Sequence, residues 1–153
     1  FDVITAFETV YFWPGPVESF QEVWRVLKPG GRFLCSTYGN SHMKEISQLV
    51  SRFDERIVLS ANKLYEKFGR ENGAHVLEPW FSRVEWISYE DGLLVSDPEP
   101  LISYILSCHG NQNQYLPDRY KDFRALVKKK TENGFHITKD AGVFLCEKVT
   151  NLK

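Results

Sequence analysis

The sequence predicts an α/β fold with parallel strands, and three features of its first 36 residues lead to that prediction. Val3 to Phe7 is a short, mostly apolar run, which suits a strand covered on both faces. Apolar residues then recur with helical spacing from Val17 to Leu27, and a second apolar run begins at Phe33. A strand, a helix and a strand joined by short loops form a right-handed crossover between parallel strands.

The helix of this unit carries its own start and stop signals. Pro16 suits the first helical position, and Glu18 in the first turn and Lys28 in the last turn suit the helix dipole. Pro29 ends the helix. We expect Gly30 or Gly31 to take the left-handed conformation at its C-terminal cap.

The ordered string resembles the class I S-adenosylmethionine-dependent methyltransferases. It consists of FDVI, a loop with an aromatic pair and a proline, a helix ending in RVLKPGG, and an apolar strand, and it is similar to the small-molecule branch of that family. The match is dense from Phe1 to Ser36, and beyond it only the order of elements agrees. In the family these are the fourth strand, the next helix and the fifth strand. The resemblance implies a Rossmann-like sheet, S-adenosylmethionine as cofactor and a small-molecule acceptor.

Composition narrows the classes of function. The chain of 153 residues has a formal net charge of -1, which gives no electrostatic reason to expect nucleic acid or a membrane as a partner. Its three cysteines, Cys35, Cys108 and Cys146, are widely spaced in apolar segments. We interpret them as reduced, buried thiols rather than as a disulfide, which predicts a cytoplasmic protein.

Two helices are predicted after the second strand. Ser41 is expected to cap the first, which carries Met43, Ile46, Val50 and Phe53 on one face. The second is expected to begin after Ser60 and to stop at Asn72–Gly73.

The remaining residues predict two strands with helices between them. The first strand runs from Trp80 to Tyr89, followed by a turn at Asp91–Gly92 and a short strand at residues 93–95. Asp97 is expected to cap a helix whose apolar face includes Leu101, Tyr104, Ile105 and Cys108. Residues 111–114 are predicted as a polar loop, and a further helix with Tyr120, Phe123, Leu126 and Val127 inward begins at Pro117. The last strands are predicted at 135–138 and 143–149, around a turn or bulge at 140–142.

The resemblance sets expectations for the domain. The last two strands are expected to form an antiparallel pair at one sheet edge, with residues 97–134 as a helical insertion between them. The family begins its cofactor site with a glycine-rich loop after the first strand, and none of the ten glycines here forms a G-x-G. We therefore expect residues 1–153 to be one methyltransferase-like domain that lacks its N-terminal cofactor loop. The strand at residues 2–7 would then have an open edge, which favours pairing with a second copy.

The site residues are carried over from the family position by position. Ala6, Phe7 and Glu8 are expected beside the cofactor, where Glu8 either orients an ammonium or hydroxyl group or is simply solvated. Tyr11 and Phe12 stand where many relatives have two histidines. Tyr11 is the catalytic candidate through its hydroxyl, the alternative being an aromatic wall of the pocket. The predicted substrate pocket consists of Phe12, Trp13 and Tyr38, although Trp13 and Tyr38 also suit a core.

No metal site is predicted. The four histidines have no ligand spacing with one another or with cysteine, and Cys108–His109 is interpreted as a coincidence at a helix end.

Two functions follow from these features. The first is methyl transfer to a small molecule by a longer parent protein, with this chain alone inactive. The alternative is a non-catalytic remnant of the fold, or an interaction module, that self-associates through its open sheet edge.

Overall fold

The computed structural model describes residues 1–60 and 63–149, apart from the side chain of Pro16. The strands are β1 (Val3–Phe7), β2 (Arg32–Tyr38), β3 (Arg83–Val95) and β4 (Phe135–Glu147). The α-helices are α1 (Pro16–Val26), α2 (Lys44–Phe53), α3 (Leu64–Lys67), α4 (Arg70–Leu77), α5 (Pro98–Ser107), α6 (Gln112–Tyr115) and α7 (Tyr120–Thr131), and 3-10 turns cover Val10–Phe12 and Pro117–Arg119. Among the described helices, none is long and apolar enough to cross a membrane.

The four strands form one sheet in the order β1-β2-β4-β3. β1 is parallel to β2, with Ala6 opposite Cys35, and β2 is antiparallel to β4, with Cys35 opposite Phe144. β3 is antiparallel to β4, since the Ser82 N–H donates to the Glu147 carbonyl just before β3 while Ile87 lies against Gly142. The predicted α/β fold, with an antiparallel pair at one edge, is confirmed.

The chain divides into two compact units, and β3 and β4 each have residues in both. The first unit comprises residues 1–42, 64–90 and 140–153. In its described part, a core forms between one face of the sheet and helices α1 and α4. The fully buried members of this core are Phe20, Leu27, Phe33, Cys35, Leu77, Phe144 and Cys146.

The second unit comprises residues 43–63 and 91–139. Helix α7 contacts both α2 and α5, and these helices surround a separate core, whose most buried members include Val50, Ile105, Leu116, Phe123 and Val127. Asp97 caps α5 as predicted, because its side chain accepts a hydrogen bond from the Glu99 N–H at 3.0 Å. The helices α5 and α7 lie within residues 97–134, as predicted, and the short helix α6 lies between them. That this segment is an insertion into one domain stays a prediction.

Helix α1 ends earlier than its sequence predicts. Leu27, in an extended conformation, is the C-terminal cap, so the prediction of a glycine cap is wrong. Gly30 is left-handed (φ 75°) instead within the turn closed by the Gly31 N–H and the Lys28 carbonyl at 2.9 Å. This turn is tied to the chain after β4, because Gly30 and Lys148 share a backbone hydrogen bond of 2.9 Å.

Two helix boundaries differ from the prediction. The cap of α2 is the left-handed Met43 rather than Ser41, and the Met43 N–H donates to the Thr138 carbonyl at 2.8 Å. Asn72–Gly73 lies inside α4, so the predicted stop there is wrong. The Asn72 side chain instead accepts from the Gly69 N–H at 2.7 Å, a capping interaction that begins α4. The predicted start after Ser60 falls on residues 61–62, outside the described residues.

The structure differs from the sequence prediction at three local turn and loop signals, two of which lie in paired strands. β3 continues through Asp91–Gly92 and β4 continues through residues 140–142, because each segment is paired with its neighbour in the sheet. The predicted polar loop at 111–114 contains the start of α6, where the Gln112 side chain is fully buried and donates to the Cys108 carbonyl. Tyr104 and Tyr120, predicted to face inward, are exposed.

Candidate functional site

The candidate site lies where β1 and β2 end. The two strands are parallel, so their carboxyl ends meet at one edge of the sheet, and their register places Phe7 opposite Ser36. The chain leaves β1 at Glu8 and enters the 3-10 turn that carries Tyr11 and Phe12. This edge therefore brings together side chains from two strands and one short turn.

Glu8 is held in an unusual backbone conformation at this edge. Its φ of 52° lies in the left-handed region, which costs a non-glycine residue about 1–2 kcal/mol. Ser36 stabilises it twice: the Ser36 Oγ accepts from the Glu8 N–H at 3.0 Å and donates to the Glu8 Oε1 at 2.8 Å. Such strained residues concentrate at functional sites.

Tyr11 holds the other oxygen of the same carboxylate. Its hydroxyl donates to Glu8 Oε2 at 2.8 Å, and its side chain is buried. Burial, followed by this hydrogen bond and the negative charge of Glu8, raises the pKa of Tyr11 well above its usual value. The hydroxyl therefore keeps its proton at neutral pH and acts as a hydrogen-bond donor.

Aromatic rings continue from this carboxylate along the edge. The Tyr11 ring centroid lies 4.7 Å from that of Phe12 and 5.9 Å from that of Tyr38, both edge to face. The Tyr38 ring in turn contacts His42 at 5.2 Å and Tyr65 at 6.1 Å. The result is a row of rings beside one carboxylate.

The predicted site residues divide into two groups. Glu8, Tyr11, Phe12 and Tyr38 come together at this edge, and Phe7 is exposed beside them. Trp13 instead packs with Phe20 at 5.4 Å and Phe33 at 6.3 Å, and the Ala6 side chain is buried in the same core. The roles assigned to all of these residues stay predictions.

Sequence reasoning missed Ser36 and an adjacent ion-pair network. Ser36 ends the next strand along the chain, so the rule that parallel strands end at one edge would have found it. The network joins Asp140 Oδ1 to Arg70 Nη1 at 2.8 Å, and the Asp140 N–H donates to His42 Nδ1 at 3.2 Å. Its members are 28 to 98 residues apart, so no local sequence pattern signals it.

The chemistry of this edge suits an organic cation better than a metal ion or an anion. The exposed Glu8 carboxylate and the exposed Phe7 ring fit a positively charged organic group, such as those of S-adenosylmethionine. Ala6 offers such a group only its backbone, because its side chain lies in the core. Within the described residues, no three His, Cys, Asp or Glu side chains are placed to hold a metal ion.

Comparison with known proteins gives one family match. Residues 1–35 match the model of a family described as a methyltransferase domain. The resemblance of this segment to a methyltransferase is thereby confirmed. A comparison with curated protein sequences finds no match.

Solved structures of methyltransferases resemble the fold at low identity. A candidate sarcosine dimethylglycine methyltransferase from Galdieria sulphuraria has 14% identity and a TM-score of 0.40, over 99% of this chain and 54% of its own. A candidate methyltransferase from Bacillus halodurans has 14% identity and a TM-score of 0.49, over 98% of this chain and 65% of its own. The third structure is Haemonchus contortus phosphoethanolamine N-methyltransferase 2, solved with phosphomonomethylethanolamine and S-adenosylhomocysteine. It has 15% identity and a TM-score of 0.41, over 97% of this chain and 33% of its own. This chain thus spans less than two thirds of each of these proteins.

Proposed function

We propose that this chain takes part in S-adenosylmethionine-dependent methyl transfer to a small-molecule acceptor, as part of a protein longer than 153 residues. The observation that carries the proposal is the methyltransferase match over residues 1–35. That segment contains Glu8 and Tyr11, the two residues on which the geometry of the edge depends. In this proposal Phe7 and Glu8 lie beside the cofactor, Tyr38 and Phe12 lie beside the acceptor, and the Glu8 carboxylate also contacts the acceptor.

Methyl transfer requires positioning more than acid–base chemistry. The cofactor, when bound, supplies a methyl group on a positively charged sulfur. The rest of the cofactor is a good leaving group, because it departs as a neutral thioether. The chain's own task is to align the acceptor, and to keep water away with the rings of Tyr11 and Tyr38. Reaction of a protonated acceptor also requires that its proton leave, so that a lone pair becomes available for the bond to carbon.

Glu8 rather than Tyr11 suits the role of proton acceptor. Tyr11 keeps its own proton because its pKa is raised by burial and by Glu8. The Glu8 carboxylate is oriented by two hydroxyl donors, from Tyr11 and Ser36, and each of its oxygens has a further lone pair for the acceptor's proton. In this proposal Tyr11 positions the base, which refines the prediction that its hydroxyl takes part in catalysis.

Calorimetry with S-adenosylmethionine tests the function. We expect no binding heat from the 153-residue chain, because it has no G-x-G segment to approach the cofactor. We expect saturable binding after the residues encoded upstream of Phe1 are added. The absence of binding heat from both proteins would overturn the proposal. A Glu8→Gln variant of the longer protein that still binds S-adenosylmethionine but transfers methyl groups slowly would support the role of Glu8 as proton acceptor.

A cytoplasmic location belongs to the same proposal. Cys35 and Cys146 are free and buried, and burial raises the pKa of the Cys146 thiol to about 12. Protonated, inaccessible thiols suit a reducing compartment.

We infer a second candidate function, self-association, from the open edge of the sheet. Among the described strands, β1 pairs only with β2. Beside it lies a groove of about 430 Å³, lined by Phe1, Val3, Ile4, Glu22, Val23 and Val26. An exposed edge strand next to an apolar groove is a template for pairing with another chain, and the occupant we propose is a second copy.

A further inference from the structure

We propose that the carboxyl end of β1 binds an alkylated ammonium group, so that the acceptor of methyl transfer is an amine. This inference rests on the proposed function, and it names the substrate class of the same site. The residues that carry it are Glu8, with its two hydroxyl partners, and the rings of Tyr11 and Phe12.

The charge on Glu8 is not balanced by a neighbouring cation. Among the residues that the structure describes, Glu8 takes part in no ion pair, and its side-chain partners are the neutral hydroxyls of Tyr11 and Ser36. Some other carboxylates are neutralised by a cation, as Asp2 is by Lys28 at 2.9 Å and Asp140 by Arg70 at 2.8 Å. The site therefore presents an oriented negative charge, which attracts a cation and repels an anionic ligand.

The rings next to this carboxylate supply the other half of an ammonium site. Aromatic faces attract alkylated ammonium groups, and such groups also fill apolar surface. Phe12 is 66% exposed, so its ring is available to a ligand, and it contacts the Tyr11 ring whose hydroxyl holds Glu8. The Glu8 carboxylate therefore matches the charge of such a ligand, and the exposed Phe12 ring matches its methyl groups.

The geometry of Glu8 also indicates that this arrangement is fixed before a ligand arrives. Its left-handed backbone is held by Ser36, and each carboxylate oxygen already accepts one hydrogen bond. A preorganised site loses less conformational entropy on binding than a mobile side chain would.

Choline is the probe, and its uncharged isostere 3,3-dimethylbutan-1-ol is the control ligand. Both are titrated into the 153-residue chain, without cofactor, while the aromatic ring signals are followed by NMR. We expect choline to shift the Tyr11 and Phe12 signals saturably and the isostere to leave them in place. Equal shifts with the two ligands would show simple apolar binding, and no shift with choline would overturn the proposal.

Two variants test the residues. Glu8→Gln is expected to weaken choline binding at least about tenfold, since the charge partner is lost. Phe12→Leu, at an exposed position that tolerates change, is expected to weaken it roughly two- to fivefold. Glu78→Gln, an exposed carboxylate at the end of α4, is the matched control and should bind choline as the parent chain does. If both site variants bind choline like the parent chain, the site assignment is wrong.

A competition experiment separates the acceptor from the cofactor as the source of the cation. S-adenosylmethionine is added to the longer protein saturated with choline. Displacement of choline by competition would mean that the site takes the charged groups of the cofactor and would overturn the assignment to the acceptor, whereas simultaneous occupancy supports it. The choline titration uses no cofactor, so its result on ammonium binding remains valid even if calorimetry overturns the proposed methyl transfer.

Discussion

At the scale of single residues, Lys148 shows how one buried charge fixes the end of a helix. The residue is only 8% exposed, and its Nζ donates to the Trp24 carbonyl at 2.5 Å and the Leu27 carbonyl at 2.6 Å. The same ammonium lies 3.8 Å from the centre of the Trp24 ring. Carbonyls at the end of α1 that lack helical partners are thus bonded to a cation, which also suits the helix dipole.

Replacing Lys148 with Met should therefore lower the free energy of unfolding. The apolar stem is kept, but two buried carbonyls lose their donor, so we expect a loss of about 1–3 kcal/mol. Chemical denaturation measures it. Lys121→Met, at an exposed position on α7, is the control and should change stability by less than about 0.5 kcal/mol. Equal stability of the two variants would contradict the role of Lys148.

The candidate site was predictable to the extent that its residues are neighbours in sequence. Glu8, Tyr11 and Phe12 lie within five residues, and the family resemblance pointed to them. Ser36 lies 28 residues away and requires the parallel register, which sequence patterns do not state. For Trp13 the sequence left both a pocket and a core position open, and the structure packs it against Phe20. The direction of a side chain beside a short turn depends on packing, which sequence patterns do not state.

At the scale of elements, Asp54 joins the end of α2 to the turn before α7. Its side chain is 7% exposed and forms ion pairs with Arg56 at 2.6 Å and Arg119 at 3.0 Å. Each arginine also stacks on a ring, Arg56 on Tyr115 and Arg119 on Phe53. Hydrogen bonding to Arg56 is the main cause that holds the pKa of Asp54 well below its ordinary value of 3.8.

This lowered pKa predicts how stability depends on pH. The pKa of Asp54 is lower in the folded chain than in the unfolded one, so its contribution is fully present above the unfolded value of 3.8 and is lost as pH falls through the folded value. Asp54→Asn should therefore destabilise the chain near about pH 6, and the difference should shrink below about pH 4. Denaturation of both proteins across this range measures it. Both arginines are partly exposed, so about 1 M salt should also reduce the difference in unfolding free energy between the two proteins. A difference that does not change with pH would contradict this role of Asp54.

The elements that sequence patterns predicted best are those whose signals are local. The first crossover unit, the Asp97 cap and the left-handed residue in the Pro29–Gly31 stretch depend on a few adjacent residues. The turn expected at Asp91–Gly92 failed because pairing along β3 outweighs a weak local preference, and the same holds for the interruption expected in β4. Met43 rather than Ser41 caps α2 for a similar reason, since the Met43 N–H donates a hydrogen bond to the carbonyl of Thr138, 95 residues further along the chain.

At the scale of the whole molecule, the open edge of the sheet distinguishes the two candidate functions. Phe1, Val3 and Phe7 are exposed apolar side chains on or beside β1, and the adjoining groove is also largely apolar. Natural edge strands are commonly protected by lysine or by a covering element. Asp2 and Lys28 form an exposed ion pair there, which gives little protection to the apolar residues that follow.

Self-association through this edge should therefore respond to a single charge. Val3 is 52% exposed and lines the groove, so Val3→Lys places a charge where a second copy would pair, and we expect it to convert the dimer to monomer. Val58→Lys is the matched control, because Val58 is 51% exposed but lies outside the groove. Size-exclusion chromatography with light scattering over a range of concentrations measures the mass of each. A parent chain that stays monomeric at high concentration would exclude the dimer, and loss of the dimer in both variants would place the contact elsewhere. A dimer that disappears only in Val3→Lys would instead identify the β1 edge as the surface through which this chain meets its copy.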